Sequence, residues 1–170
     1  MATLSTTPSN RSFLSNNKFD FVLDRIPNFT FLVQSVNLPA ISLSFNEIPT
    51  PATSIRIPGT IVSFSQLSLS FIVDEDMQSW YEIYNWIFSL GNPESNVKRL
   101  GFSESPGNNY ETSDASLFIK TNSNNLNWKV NFNEVFPVDL SEIQFSTTET
   151  QEFVTASATF NYTYYTLENI

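Results

Sequence analysis

The sequence predicts a mainly β protein, an antiparallel β-barrel or sandwich of about eight strands with one flanking α-helix at residues 75–90. From Lys18 onward, apolar and polar residues alternate with the period of two that is typical of half-buried strands. One segment, between two sets of strands, has the periodicity and the end signals of a helix. Strands packed face to face or closed into a barrel bury such a pattern, and a single helix then covers one side.

A polar N-terminal arm precedes the predicted strands of the N-terminal half. Residues 1–17 are rich in Ser, Thr and Asn and predict a flexible arm ahead of one domain at residues 18–170. The predicted strands are marked by alternating apolar residues, at Phe19, Phe21 and Leu23, at Phe29, Phe31 and Val33, at Ile41, Leu43 and Phe45, and at Leu67, Leu69, Phe71 and Val73.

Residues 48–60 interrupt this pattern with three prolines. Pro49, Pro51 and Pro58 are incompatible with a regular central strand and predict a stiffened loop or an irregular hairpin. The segment is more apolar than an ordinary exposed loop, so we expect it to contact another subunit. Alternatively, its isoleucines fill the core of their own domain. The predicted contact residues are Ile48, Pro51, Ile55, Arg56, Ile57 and Ile61.

The predicted helix has clear ends. Asp74 is placed to cap it, Glu75 and Asp76 favour the positive end of its dipole, and Gly91 with Pro93 ends it. An apolar stripe at helical spacing is predicted to face the core. It comprises Met77, Trp80, Tyr81, Tyr84, Ile87 and Phe88.

The C-terminal third again predicts strands, and residues 92–114 before it predict an exposed loop. A hairpin turn is expected at Asn122–Asn125 and a bulge near Ser141–Glu142. The predicted strands contain Ala115, Leu117 and Ile119, then Leu126, Trp128, Val130 and Phe132, and finally one long strand with Val154, Ala156, Ala158, Phe160, Tyr162 and Tyr164.

The composition argues against catalysis. The chain has no Cys and no His, which removes thiolate chemistry, the usual zinc sites and a Ser–His–Asp triad. We therefore expect no enzyme activity and no cofactor. Asp74–Glu75–Asp76 is interpreted as a helix start rather than a metal site. We also expect neither a signal peptide nor insertion into a membrane.

Charge and strand faces suggest the kind of partner. The formal net charge is −9, and the eight Lys and Arg residues are scattered, so tight binding of nucleic acid is not expected. The polar faces of residues 63–73 and 153–165 carry Ser and Thr but almost no charge. Charged residues normally discourage strands from pairing between molecules, so their absence favours self-association.

Four segments in order resemble the tail-tube protein family of contractile-tailed bacteriophages. They are NLPAISLSFNEIP at 37–49, PGTIVSFSQLSLSFIVDEDM at 58–77, SWYEIYNWI at 79–87, and FPVDLSEIQFS at 136–146 followed by VTASATFNYTYY at 154–165. In this family a strand runs into an acidic helix start, the helix is aromatic-rich, and a long alternating strand ends in aromatic residues.

The resemblance implies a structural virion protein, the tail-tube subunit that forms stacked hexameric rings as a conduit for DNA ejection through a contractile tail. Its implied partners are copies of itself, the tail sheath subunit, and the baseplate tube-initiator and tail-terminator proteins, with DNA passing through the lumen without specific binding. In the family an extended loop reaches a neighbouring subunit, so residues 48–60 are expected to connect stacked rings. The implied location is the phage tail, and the host cytoplasm during assembly.

Other functions stay open at this point. The main alternative is a baseplate tube-initiator ring protein of the same fold, because the family does not separate tube subunits from initiators and terminators. A type VI secretion tube-like protein and a carbohydrate-binding module are further alternatives. A module of the latter kind would expose Trp residues in a groove, whereas Trp80 and Trp128 lie in apolar patterns.

Overall fold

The computed structural model describes residues 12–92, 111–147 and 153–170. These residues form nine strands, one α-helix and a short 3-10 helix at Pro27–Phe31. The strands are β1 (Phe19–Leu23), β2 (Val33–Val36), β3 (Ile41–Pro49), β4 (Ser54–Phe64), β5 (Leu67–Ile72), β6 (Ser113–Lys120), β7 (Leu126–Leu140), β8 (Thr155–Asn161) and β9 (Tyr164–Asn169), and the helix α1 is Gln78–Leu90.

Strand β7 belongs to two antiparallel sheets. Its first half pairs with β6 and β9, and β6 pairs with β1. Its second half pairs with β8, which is followed by β5 and β2. The change of direction occurs near Glu134, whose φ of 57° is left-handed and whose backbone N–H donates to an Asp114 carboxylate oxygen at 3.1 Å. A bulge of this kind bends a strand and lets it serve two sheets.

The core lies between the two sheets and under α1. Its largest fully buried side chains include Phe21, Phe71, Phe132, Phe160 and Trp86. Phe29, in the 3-10 helix, packs edge-on against Phe71 with ring centroids 4.7 Å apart. The ring centroids of Trp86 and Phe160 lie 6.2 Å apart, and this contact packs the helix against the second sheet.

The predicted mainly β class with one helix is confirmed. The architecture is a sandwich, and the sheet order β1-β6-β7-β8-β5-β2 does not close into a barrel in the described residues. The turn at Asn122–Asn125 is also confirmed, with Asn124 in the left-handed region at φ 63°.

Three strand predictions are wrong. Residues 27–31 form a 3-10 helix rather than a strand, because Pro27 occupies its first turn and Phe29 turns into the core. The predicted long C-terminal strand is broken at Tyr162–Thr163, where the chain passes from one sheet to the other. No bulge forms at Ser141–Glu142, since β7 ends at Leu140. Most of the predicted loop 92–114 lies outside the described residues.

The helix begins three residues later than predicted, yet Asp74 caps it. One Asp74 carboxylate oxygen accepts the Gln78 N–H at 3.2 Å, and the other accepts the Ser79 N–H at 3.1 Å and its hydroxyl at 2.6 Å. These hydrogen bonds, the Ser79 hydroxyl first, lower the pKa of Asp74. Met77 precedes the helix with a left-handed φ of 52°, so Glu75 and Asp76 lie in a turn.

The predicted core stripe of the helix is wrong in part. Tyr81 is 55% exposed and Tyr84 is 40% exposed, and Phe88 is half-buried. The buried face is instead Ser79, Ile83 and Trp86, with Trp80 and Ile87 packed at its margin. The helix is apolar around most of its circumference, so spacing alone does not select the face that docks.

Candidate assembly interface

Strands β3 and β4 form a two-stranded antiparallel sheet of their own, separate from the sandwich. Ile48 pairs with Ile55 near the tip, and Ile41 pairs with Phe64 at the base. The tip is a short turn in which the Thr50 N–H donates to the Thr53 carbonyl at 3.0 Å. The proline-containing segment is therefore the end of a long hairpin. We call β3, β4 and their turn the assembly hairpin.

Apolar side chains on both faces of the assembly hairpin are exposed. The register puts Ile48, Ile55 and Ile57 on one face and Leu43 and Phe45 on the other. Each of these five side chains is between 43% and 56% exposed. A two-sided apolar surface of this size is not expected on an element that stays in water.

Polar contacts on the hairpin hold its own strands in register. Arg56 and Glu47 form an ion pair at 2.8 Å across the two strands. The Arg56 guanidinium also lies over the Phe45 ring, 5.3 Å from its centroid. Because both charged groups are exposed, the pair contributes little to stability, on the order of 1 kcal/mol or less. The pair links the two strands of the hairpin and leaves its apolar side chains exposed.

An isolated two-stranded hairpin is marginally stable in water, so this one depends on further burial. Its Pro49, Pro51 and Pro58 reduce the conformational freedom that is lost when a partner orders it. A surface that is stiff, apolar and two-sided fits between two other protein surfaces. The geometry therefore supports protein–protein contact.

The hairpin brings together all six predicted contact residues. Ile48, Ile55, Arg56 and Ile57 lie near its tip, Pro51 lies in the turn, and Ile61 lies farther down β4 with 67% exposure. Burial of the isoleucines in their own core is not observed. Their contact with another ring or subunit stays a prediction.

Four other residues of the same hairpin are exposed and apolar but are not among the predicted contact residues. They are Ile41, Leu43, Phe45 and Val62. The alternation at 41–45 was the available signal. Alternation predicts a strand with one apolar face, but it does not say whether the same chain covers that face.

The uncharged Ser and Thr residues meet on the outer face of the second sheet. Ser70 pairs with Ser157, and Ser68 pairs with Thr159. At the sheet edge the Ser35 and Ser70 hydroxyls lie 2.6 Å apart. The short strand β2 forms this edge, so an uncharged face ends at a strand that has no further partner in the described residues.

Acidic side chains do not gather into a metal site in the described part of the chain. No three Asp or Glu residues there are grouped so as to hold an ion. Asp74, the first residue of the predicted acidic run, directs its oxygens at the helix. None of the helices in the described ranges is long and apolar enough to cross a membrane.

Comparison with known proteins identifies the family. The family model described as phage tail tube protein matches residues 3–168. The chain belongs to the phage tail tube protein family. It is 30% identical over 145 residues to the tail tube terminator protein of Enterobacteria phage T4, covering 82% of this chain and 78% of that protein.

Solved structures of contractile systems share the fold of this tail tube family member. The tube-terminating cap of the anti-feeding prophage matches with a TM-score of 0.67 at 16% identity, over 100% of both chains. A chain of the sheath–tube complex of the extracellular contractile injection system PVC matches with a TM-score of 0.64 at 13% identity, over 94% of both chains. At these identities the likeness concerns the fold.

Proposed function

We propose that this chain is a tail tube terminator, a structural ring protein that closes the end of a contractile tail tube. The observation that carries the proposal is the 30% identity to the T4 terminator, which spans most of both chains. The exposed assembly hairpin supplies a means of self-association, and the proposal assigns it to contact between neighbouring subunits or stacked rings.

The runner-up is the repeating tail-tube subunit of the same kind of tail. The similarity in fold to a chain of the PVC sheath–tube complex favours it. Both functions use hexameric rings and differ in how many ring faces bind another ring. A tube subunit binds on both faces and polymerises, whereas a terminator stops growth. A baseplate tube-initiator also stops at one ring.

The proposed mechanism is passive and involves no catalysis. Six copies with a net charge of −9 each give about −54 per ring, which disfavours adhesion of DNA that passes through the lumen. The uncharged Ser and Thr face, and the edge of β2 that no described strand pairs with, allow sheets of adjacent subunits to join. The partners are other copies, the tube, and the sheath or its terminator, in the phage tail.

Light scattering of the purified full chain, followed by negative-stain imaging, tests the proposal. A terminator gives single rings of six times 19.3 kDa, about 116 kDa, that do not stack. Adding these rings to preformed tubes of the same phage shortens the tubes that grow afterwards. Stacked tubes from this chain alone establish the runner-up. A strict 19.3 kDa monomer at every salt and protein concentration overturns both functions.

A further inference from the structure

The assembly hairpin has no strand pairing with the sandwich in the described residues, yet its two ends are held. The chain enters β3 after Pro39 and leaves β4 at Ser65. The Ser65 N–H donates to the Ala40 carbonyl at 3.0 Å, which closes the base of the hairpin. This bond joins the two ends to each other and does not orient them against the body of the protein.

Two tyrosine hydroxyls attach that base to the sandwich. Tyr162 donates its hydroxyl proton to the Ser65 carbonyl at 2.7 Å. Tyr165 donates to the Pro39 carbonyl at 3.2 Å. One tyrosine therefore holds the end of the outgoing strand and the other holds the start of the incoming strand.

Ring packing reinforces both bonds. Phe64, the last residue of β4, packs edge-on against Tyr165 with centroids 5.2 Å apart and lies 6.1 Å from Tyr162. Both tyrosine rings in turn contact Phe132, at 5.2 and 5.7 Å, and Phe132 is fully buried. The base of the hairpin is thus connected to the core through three layers of aromatic rings.

The two tyrosines occupy the place where the chain crosses between sheets. Tyr162 lies in the break after β8, and Tyr165 lies in β9. Asn161 pairs with Phe136 in the second sheet, and Tyr164 pairs with Asn133 in the first. A hairpin that contacts the chain at this corner is therefore held in a fixed position relative to both sheets.

We propose that Tyr162 and Tyr165 are positioning residues that set the direction in which the assembly hairpin projects from the sandwich. A hairpin fixed at its base loses less freedom on docking than one that swings, so its binding to a partner is stronger. Burial raises the pKa of Tyr162 from 10.0 to about 12, which extends the pH range over which its hydroxyl is a donor into alkaline solution. The stronger binding to a partner rests on the proposed function, whereas the orienting of the hairpin by the two tyrosines does not.

Distance measurement between two spin labels tests the orientation. The chain contains no cysteine, so Ala52→Cys in the hairpin turn and Ser123→Cys in the β6–β7 turn give two specific labelling sites. Labelled protein is diluted into an excess of unlabelled protein, which removes distances between molecules. The distribution is compared with that of a Tyr162→Phe/Tyr165→Phe variant, which keeps both rings and removes both hydroxyls.

We expect a single narrow distribution for the unaltered chain and a broadened or shifted one for the double variant. Each single variant removes one bond and is expected to give an intermediate width. Tyr81→Phe/Tyr84→Phe, which removes two hydroxyls from exposed tyrosines of α1, is the matched control and should change nothing. Circular dichroism checks that all variants keep the fold.

An unchanged distribution in the double variant overturns the proposal. A broadened distribution with normal assembly keeps the orienting role and instead contradicts the use of the hairpin in assembly. A broadened distribution with fewer rings supports both statements. The two failures are therefore distinguishable.

Discussion

Gly59 lies against the backbone of Ser44 across the assembly hairpin, so close that a Cβ at position 59 would meet the Ser44 carbonyl oxygen at 2.8 Å. Ser44 sits at an irregularity in the strand pairing, between the pairs Leu43–Val62 and Phe45–Pro58. Its hydroxyl accepts the Ile61 N–H at 3.2 Å. Only glycine permits this approach without a shift of one strand.

Gly59→Ala is therefore expected to distort the hairpin and leave the sandwich intact. The added methyl group meets backbone, which has no free rotamer through which to yield. We expect the melting temperature by circular dichroism to stay nearly unchanged and ring formation by light scattering to fall. Thr60→Ala, at an exposed position of the same strand, is the control. Normal assembly of the Gly59 variant would show that the local geometry is unimportant.

Trp86 and Tyr84 are expected to differ sharply in their effect on stability. Trp86 is 1% exposed and its indole N–H donates to the Glu111 carbonyl at 3.1 Å, so Trp86→Ala should lower the free energy of unfolding by about 3–5 kcal/mol. Tyr84 is exposed and stacks on Trp80, so Tyr84→Ala should cost no more than about 1 kcal/mol. Urea denaturation of both variants measures the two losses in the free energy of unfolding. Equal losses would contradict the observed docking of the helix.

The cap by Asp74 predicts a pH dependence of stability. Its pKa is lowered, first by the Ser79 hydroxyl, so the stabilisation is present above the ordinary value of 3.8 and is lost as the pH falls through the lowered value. At pH 7, Asp74→Ala should cost about 1 kcal/mol, because it removes the oxygens that accept the Gln78 and Ser79 N–H groups. Denaturation of both proteins across acid pH should show the difference shrinking below pH 3.8. A difference that does not vary with pH would refute the charge-based cap.

At alkaline pH, Tyr162 is expected to make the stability fall as the pH rises, the opposite direction to the effect of Asp74. Burial raises its pKa from 10.0 to about 12, with a smaller contribution from Tyr165. Between these values the unfolded chain loses a proton that the folded chain keeps, so stability falls as the pH rises. The difference in tyrosinate absorbance between the unaltered protein and Tyr162→Phe should show one group titrating near 12. A titration near 10.0 would mean that Tyr162 is not held as described.

Local patterns predicted the elements well where one face of a strand is buried by the same chain. Phe21 and Leu23 in β1 and Leu67, Leu69 and Phe71 in β5 are buried as their alternation indicates. Alternation does not report where a strand changes partners, so the break at Tyr162–Thr163 was missed.

The candidate interface was predicted in part for a related reason. The prolines indicated an unusual segment at 48–60, and the exposed isoleucines are there. The same apolar pattern at Ile41 and Leu43 was interpreted as a half-buried strand, because a sequence does not distinguish burial within one chain from burial against a second one. The two tyrosine hydrogen bonds at the hairpin base join residues 97 and 126 positions apart and leave no local pattern.

The most direct test of the account is whether the apolar hairpin is required for assembly. A variant with Ile48→Ser, Ile55→Ser and Ile57→Ser keeps the length of the hairpin and removes three exposed isoleucines from one face near its tip. Replacement of residues 46–57 by a short Gly-Ser turn joins the paired residues Phe45 and Pro58 and removes the tip altogether. Light scattering and negative-stain imaging of both variants are compared with those of the unaltered chain. We expect folded proteins by circular dichroism that stay at 19.3 kDa, while the unaltered chain forms rings. Rings of normal size and number from either variant would contradict the account.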